Sequence, residues 1–187
     1  MDDALVEMRS ANASSESGGI RRVVVVGELI DRKRPWLGCE AVAYLPANVE
    51  LILVGDGPLR KELETKFSEL ISAGRIHFLG RISRTEVLTL LSKTDLLLHT
   101  ARREGAGWVV AEALACGNNV LTVRGSGADC LVARVPNGGA IVDDVIVNDA
   151  QALANAIIGL ICAGEVPKYE GIWSESRFRI AVESWYA

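Results

Sequence analysis

Residues 104–112 read Glu-Gly-Ala-Gly-Trp-Val-Val-Ala-Glu, a glycine-containing turn and an apolar run with a carboxylate at each end. The preceding residues 95–99, Asp-Leu-Leu-Leu-His, have the composition of a short strand buried on both faces. From Trp108 to Cys116 the chain is apolar except at Glu112, which predicts a covered helix. The order of strand, tight turn and helix predicts one unit of an α/β fold.

The same alternation extends through the rest of the chain. Short apolar runs predict strands at 23–26, 49–54, 76–78, 95–99, 120–123 and 140–142. Helical patterns lie between and after them at 35–44, 58–71, 84–92, 107–116 and 149–163. This alternation predicts a single Rossmann-like parallel sheet with helices on both faces, and ligands then bind beyond the carboxyl ends of the strands.

Length and composition bound the domain organisation. The chain has 187 residues, 49% of them hydrophobic, which is enough for one sizeable core. Residues 1–20 are polar and rich in Ser, Asn and Gly, and we predict a flexible leader or linker there. The predicted domain therefore covers residues 21–187.

The turn at 104–107 has the features of an anion site. Free amide groups at a helix start attract phosphate, and glycines let a ligand approach the backbone closely. Glu112 has no Lys or Arg partner on its own predicted helix, and a buried carboxylate is costly without hydrogen bonds, so a ligand diol is one expected partner. If helical throughout, its eight-residue separation from Glu104 corresponds to about 12 Å, which predicts two separate ligand contacts. In the alternative interpretation Glu104 is a solvated loop residue and Glu112 pairs with a distant Arg in the core.

A second candidate site is the loop 27–34, Gly-Glu-Leu-Ile-Asp-Arg-Lys-Arg. It follows the predicted strand 23–26 and gathers three cations just before a helix, which suits a pyrophosphate. The alternative is a solvated helix start with incidental cations.

These segments together resemble the C-terminal, donor-binding domain of GT-B glycosyltransferases, specifically the retaining family 4. The chain reads EGAGWVVAEALACG where that family has its E-x7-E element. Four further segments match in the same order: VVVVGELIDRKR, LILVGDGP, IHFLGRIS and a late WSESRFRIAVESWY. The resemblance covers roughly residues 21–186.

The resemblance implies binding of a nucleoside-diphosphate sugar as substrate, with no cofactor and no metal, and retaining transfer of the sugar to a hydroxyl acceptor. It gives catalytic roles to Lys33 and Glu104, with Lys33 and Arg32 neutralising the diphosphate. Glu104 would bind sugar hydroxyls, and Glu112 would bind the ribose diol. The remaining donor-binding positions that it implies are Gly27, Gly80, Ile82, Gly105, Ala106 and Gly107.

The chain also departs from the family pattern. Glu28 stands where an Arg is expected; either Arg32 or Arg34 compensates, or Glu28 binds Lys33 and donor binding is weak. Ala106 replaces a bulky Phe, which predicts a larger pocket beside the sugar.

The resemblance further implies an N-terminal acceptor-binding domain or subunit as partner, supplied by a longer enzyme or by another polypeptide. The alternative is a catalytically degenerate binding or partner subunit. Peripheral membrane association of the complete enzyme is left open.

Other classes are disfavoured. A net charge of −4 argues against a nucleic-acid surface. Arg60 replaces the third glycine of a dinucleotide fingerprint that would begin at Gly55, which disfavours NAD. The cysteines are widely spaced in apolar surroundings, so we expect buried free thiols and a cytoplasmic protein. His99, at the end of a predicted strand, is expected to be a packed core or rim residue; the alternative is that it lines the pocket, since it precedes the Glu104 turn.

Overall fold

The computed structural model describes residues 19–104 and 107–162. Within them, the strands are β1 (Arg21–Val26), β2 (Val49–Val54), β3 (Ile76–Gly80), β4 (Leu96–His99), β5 (Asn119–Val123) and β6 (Gly139–Val142). They form one parallel six-stranded sheet in the order β3-β2-β1-β4-β5-β6. The predicted α/β class with a single parallel sheet is confirmed.

The helices follow the strands as predicted, with several additions. They are α1 (Pro35–Val42), α2 (Arg60–Lys66), α3 (Ser68–Ser72), α4 (Arg84–Leu91), α5 (Trp108–Ala115), α6 (Asp129–Arg134), α7 (Asp144–Val147) and α8 (Ala150–Cys162). A short 3-10 helix, Asp31–Lys33, precedes α1.

Two apolar cores, one on each face of the sheet, hold these elements together. Alternate residues of each strand point to opposite faces, so Val23 joins one core and Val24 the other. The first core packs β-sheet residues against α1, α2 and α8, and the second packs them against α4, α5 and α6. Burial on both faces explains why the strands read as continuous apolar runs in the sequence.

Several details differ from the sequence prediction. The helix predicted at 58–71 is two helices, because Phe67 leaves helical geometry at φ −109° and ψ 22° and turns its ring to the core. The helices α6 and α7 were not predicted, since each is too short to show a period. Residues 1–18 and 163–187, which carry most of the predicted leader and the WSESRFRIAVESWY segment, lie outside the described residues.

The prediction of buried thiols is only partly right. All the cysteines within the described residues are free, and Cys39 is buried, which raises the pKa of its thiol to about 12. Cys116 is half-buried, whereas Cys130 and Cys162 are exposed. Cys130 lies on the solvent side of α6, whose Leu131 and Val132 face the core, and Cys162 is the last residue of α8.

The strand order places a ligand-binding crevice between β1 and β4. The chain proceeds outward from β1 to β3 on one side and from β4 to β6 on the other, so the loops after β1 and β4 diverge at this point. Open parallel sheets bind ligands at such a switch point, beyond the carboxyl ends of the strands. The predicted loop 27–34 follows β1, and Glu104, the first residue of the predicted turn 104–107, follows β4.

The loops after β1 and β2 cross in direct backbone contact. Gly55 has φ +128°, and a Cβ built on it would lie 2.0 Å from the carbonyl oxygen of Gly27. A Cβ on Gly57 would lie 2.5 Å from the carbonyl oxygen of Leu29. No side chain fits at either position, so the Gly-x-Gly of the second loop fixes the shape of the first.

Candidate functional site

The loop after β1 presents its cations through a compact turn. Arg32 and Lys33 belong to the 3-10 helix, and Arg34 at φ 49° then redirects the chain so that Pro35 can begin α1. The Lys33 side chain lies over Gly27, where a built Cβ would be 3.7 Å from Lys33 Cε. The Lys33 side chain therefore packs directly on the backbone of Gly27.

Hydrogen bonds join this loop to the loop after β4. Thr100 Oγ1 donates to the carbonyl of Lys33 at 2.8 Å, and Arg34 Nε donates to the carbonyl of Thr100 at 2.8 Å. The Arg102 amide donates to the carbonyl of Arg32 at 3.3 Å. The two sides of the switch point are thus held as one unit.

Arg34 also anchors a third element. Its guanidinium is nearly fully buried and donates to Asp144 Oδ1 at 2.6 Å, at the start of α7. The Arg34 guanidinium holds the pKa of Asp144 below its ordinary value. Arg34 is therefore a structural cation in this structure, and Arg32 and Lys33 are the cations of the loop that face the predicted site.

Glu104 lies at the centre of the cluster. Its carboxylate pairs with Lys33, lies 3.8 Å from Arg32 Nη1, and lies 3.6 Å from His99 Nε2. Only 17% of its side chain is exposed, so Glu104 is not a solvated loop residue. Lys33 pairs with Glu104, not with Glu28 as one sequence alternative proposed.

These neighbours hold Glu104 in its charged form. Its pKa falls from 4.5 to about 2, first because the His99 N–H faces the carboxylate and then because of Lys33, while burial acts in the opposite direction. At 3.6 Å the His99 contact is longer than an ordinary hydrogen bond, and His99 and Lys33 both lower the pKa of Glu104.

A glycine loop after β5 completes this part of the site. The amide of Glu104 donates to the carbonyl of Ser126 at 2.7 Å, and a Cβ on Gly127 would lie 2.3 Å from the carbonyl oxygen of Glu104. An open cleft of about 410 Å³ is lined by Arg103, Glu104, Gly125, Ser126 and Gly127. Glu104 therefore borders a space large enough for part of a ligand.

Asp129 shapes that glycine loop, a role that the sequence pattern did not assign. Its carboxylate accepts hydrogen bonds from the amides of Gly125 at 2.7 Å and Gly127 at 3.1 Å. These two hydrogen bonds hold the glycine loop in its conformation without a bound ligand.

Glu112 has a partner that the sequence did not identify. Arg84, the first residue of α4, donates from Nε to Glu112 Oε1 at 2.8 Å. The Glu112 side chain is 12% exposed and that of Arg84 is 71% exposed, so the partner is a surface arginine on a neighbouring helix and not a core residue. The alternative interpretation of the sequence, in which Glu112 pairs with a distant Arg in the core, is therefore right about the pairing. It is wrong about the location, because Arg84 lies at the surface.

The start of α4 is well defined. Ser83 accepts a hydrogen bond from the Glu86 amide, and the Glu86 carboxylate accepts one from the Ser83 amide at 2.8 Å. This capping box holds Arg84 directly after the loop 80–82. The Ser-x-x-Glu spacing at 83–86 was the available sequence signal for this helix start.

The other predicted positions are distributed along the same edge of the sheet. Gly80 ends β3 at φ +67°, and its carbonyl accepts from the Gly55 amide at 2.7 Å. Ile82 is half-buried against the second core. Gly107 is the N-cap of α5 at φ 55°, with a built Cβ 3.0 Å from Ala128 Cβ. Gly105 and Ala106 lie outside the described residues.

The structure also brings polar residues together behind Glu104. His99 Nδ1 lies 3.1 Å from Thr122 Oγ1, which in turn lies 3.2 Å from Ser126 Oγ. All three side chains are buried. The sequence signal that could have located this row of polar side chains was Thr122, a threonine within the largely apolar strand β5.

Among residues 19–104 and 107–162, no cluster of three or more His, Cys, Asp and Glu side chains is arranged to hold a metal ion. None of the helices in these ranges combines the length and apolar character required to cross a bilayer.

Comparison with known proteins gives a consistent result. A family model described as glycosyl transferases group 1 matches residues 9–169. The lipopolysaccharide core biosynthesis glycosyltransferase LpsE of Rhizobium meliloti (strain 1021) is 33% identical over 135 residues, covering 72% of this chain and 38% of that protein. The lipopolysaccharide glucosyltransferase WaaG of Escherichia coli (strain K12) is 34% identical over 122 residues, covering 63% of this chain and 32% of that protein.

A solved structure shares the fold. The crystal structure of Anabaena HepE in complex with UDP and glucose superposes with a TM-score of 0.66 at 26% identity, covering 89% of this chain and 44% of that chain. The chain thus spans roughly a third of the length of these curated relatives and just under half of this structural neighbour.

Proposed function

Because this chain belongs to the glycosyl transferases group 1 family, we propose that it binds a nucleoside-diphosphate sugar and forms the donor half of a retaining glycosyltransferase. The acceptor half would come from another region of a longer enzyme or from a second polypeptide. Its position in the GT-B architecture corresponds to the C-terminal domain.

One observation carries the proposal: Lys33 after β1 and Glu104 after β4 meet across the switch point of the sheet. They offer a cation and a carboxylate side by side at the place where α/β sheets bind nucleotides. The carboxylate is suited to sugar hydroxyls, and the cations Lys33 and Arg32 are suited to a diphosphate.

The two groups would act at different parts of the donor. On this proposal Lys33 and Arg32 turn toward the diphosphate and stabilise the charge that develops as it leaves. The anomeric carbon–oxygen bond to the diphosphate breaks, and the acceptor oxygen bonds to the same face of that carbon. The acceptor proton passes to the departing diphosphate, so no side chain of this chain is required as a covalent nucleophile. Glu104 holds the sugar through its hydroxyls.

The remaining predicted positions extend the site toward the nucleoside. Glu112 would bind the ribose diol, and the backbone from Gly80 to Ile82 would contact the base. The Arg84–Glu112 pair places these two segments next to each other, because Arg84 follows the loop 80–82 by two residues. The HepE structure contains UDP and glucose, which supports a nucleotide-sugar donor here.

Titration calorimetry tests the proposal. We expect the 187-residue chain to bind UDP or GDP, together with UDP-glucose or GDP-mannose, in a saturable manner. Glu112→Gln should weaken that binding about 10- to 100-fold, because hydrogen bonds to a charged group contribute about 1.5–3 kcal/mol.

The matched control is Glu40→Gln. Glu40 pairs with Lys66 at 2.7 Å on α1, and we expect its substitution to leave nucleotide affinity unchanged. Equal affinity of wild type and Glu112→Gln would refute the ribose role. If none of the four nucleotides binds, the donor-binding function of this chain is wrong.

A second candidate is a binding or partner subunit that has lost catalysis. Glu28 favours it, because it is among the residues that line a small pocket with Gly27, Lys33 and His99, and the resemblance expects an arginine at its position. Turnover separates the two candidates. A donor half should transfer sugar when combined with its acceptor half, whereas a degenerate subunit should remain inactive in the same complex.

A further inference from the structure

His99 is a buried histidine with one unused nitrogen. It ends β4, and 4% of its side chain is exposed. Its Nδ1 lies 3.1 Å from Thr122 Oγ1. Its Nε2 is buried and has no hydrogen-bond partner within the described residues, and Glu104 Oε2 lies 3.6 Å from it.

The hydroxyls behind the ring decide which nitrogen carries the proton. Thr122 can donate to His99 Nδ1 while it accepts from Ser126 Oγ at 3.2 Å. If Nδ1 accepts, the proton of a neutral imidazole is on Nε2, directed at Glu104. In the opposite tautomer Nε2 would present a lone pair to a carboxylate, which is unfavourable in a buried site.

We propose that His99 is a positioning residue for Glu104: Thr122 orients the imidazole, and the His99 Nε2–H fixes the Glu104 carboxylate in the direction of the donor sugar. This inference rests on the proposed function, since it assumes that Glu104 binds sugar hydroxyls. The inference requires no contact between His99 and the donor, because the buried Nε2 faces the Glu104 carboxylate.

The need for such a residue follows from the other partners of Glu104. The charged groups that face it are Lys33 and Arg32, both on the loop after β1. A bound diphosphate would draw these cations away from Glu104. His99 belongs to a central strand and cannot follow, so it continues to hold the carboxylate when the cations leave. The depressed pKa of Glu104, for which the His99 contact is the largest cause, agrees with this arrangement.

The first test compares bare and sugar-bearing nucleotides. We will measure dissociation constants for UDP and UDP-glucose, and for GDP and GDP-mannose, with wild type, His99→Leu and His99→Gln. In the pair that binds, His99→Leu should weaken the binding of the sugar nucleotide relative to that of the bare nucleotide by about tenfold. A Glu104 carboxylate that is no longer held in place would lose a hydrogen bond from the sugar, and hydrogen bonds to a charged group have effects of about this size. His99→Gln carries an amide donor near the position of Nε2 and should restore most of that ratio.

The chain provides a matched control in its other histidine. His77 Nε2 faces Glu50 Oε2 at 3.5 Å, near the amino ends of β3 and β2 and so at the opposite edge of the sheet. His77→Leu removes an equivalent imidazole–carboxylate contact and should leave the ratio unchanged. An unchanged ratio in His99→Leu would overturn the inference, even where UDP or GDP binds normally.

A ligand-free measurement keeps the inference separate from the proposed function. Nitrogen-15 NMR of the imidazole should show a proton on Nε2 and hydrogen bonding at Nδ1, and the second feature should disappear in Thr122→Val. Carbon-13 NMR of the Glu104 carboxyl should show its pKa moving upward in His99→Leu. A neutral ring protonated only on Nδ1, or an unmoved Glu104, would overturn the positioning role. If no nucleotide binds, these spectra still decide it, while the proposed function alone fails.

Discussion

Arg84 and Glu112 show what a single contact can add to the site. An exposed ion pair contributes about 0.2–1 kcal/mol to stability, so Arg84→Met should change the free energy of unfolding very little. If Arg84 orients Glu112 for the ribose, the same substitution should weaken UDP or GDP about three- to tenfold. It should have almost no effect on the 2′,3′-dideoxy nucleotide, which lacks the diol. Calorimetric titration of both nucleotides measures the difference.

Lys66→Met is the control for this prediction. Lys66, the last residue of α2, pairs with Glu40 of α1 at 2.7 Å, and neither residue belongs to the predicted site. The Lys66→Met substitution should leave the binding of the normal and the dideoxy nucleotide unchanged. An equal loss for the normal and the dideoxy nucleotide in Arg84→Met would show that Arg84 contacts another part of the ligand.

At the scale of an element, α4 depends on its capping box. Ser83→Ala removes the acceptor for the Glu86 amide, and the loss of such an N-cap costs about 1 kcal/mol. We expect a lower midpoint of urea unfolding with an unchanged m-value, because the compactness of the fold does not change. Because Arg84 is the first residue of this helix, the variant should also weaken nucleotide binding.

Ser92→Ala provides the comparison at the other end of α4. The Ser92 hydroxyl donates only to the nearby carbonyl of Thr89, at 2.9 Å on an exposed surface. Its substitution should change the free energy of unfolding by less than about 0.5 kcal/mol. Equal losses in the two variants would mean that the capping box does not determine the stability of this helix.

At the scale of the whole molecule, Glu104 couples stability to pH. Its pKa of about 2 in the folded state lies below the ordinary value of 4.5, so the unfolded chain binds more protons between these values. The stabilisation is therefore complete above about pH 4.5 and is lost as the pH falls toward 2. Glu104→Gln should be less stable than wild type by about 1–3 kcal/mol near neutral pH.

That difference should shrink steadily as acid is added. Chemical unfolding at a series of pH values between about 6 and 2.5 measures it, with Glu40→Gln as the comparison for an exposed carboxylate. A Glu104→Gln difference that stays constant across this range would contradict the depressed pKa.

Much of the fold could be predicted from the sequence, for a clear physical reason. The strands at 23–26 and 49–54 are buried on both faces, so they are apolar along their whole length except at Glu50 and are easily recognised. The break at Phe67 was missed because a single non-helical residue leaves the apolar spacing almost unchanged. The exposure of Cys162 was missed because burial at a helix end depends on which neighbours cover it.

The site could be predicted only in part. The glycines and charges of the sequence indicated the loop 27–34 and the turn that begins at Glu104, and the structure brings Lys33 and Glu104 together at one edge of the sheet. Partners such as Arg84 for Glu112, and Thr122 for His99, come from separate elements, and their pairing depends on how those elements pack. Local patterns contain no information on such contacts.

The backbone crossing of the first two loops also affects how this domain can evolve. Gly55 and Gly57 lie so close to Gly27 and Leu29 that they cannot gain a side chain without moving both loops. Mutations that alter the choice of ligand must therefore accumulate at other positions around the cleft. The rim of the cleft thus has two parts: the loop crossing, where Gly55 and Gly57 cannot be substituted, and the remaining positions, which can vary. New ligand specificities would arise from substitutions in the second part alone.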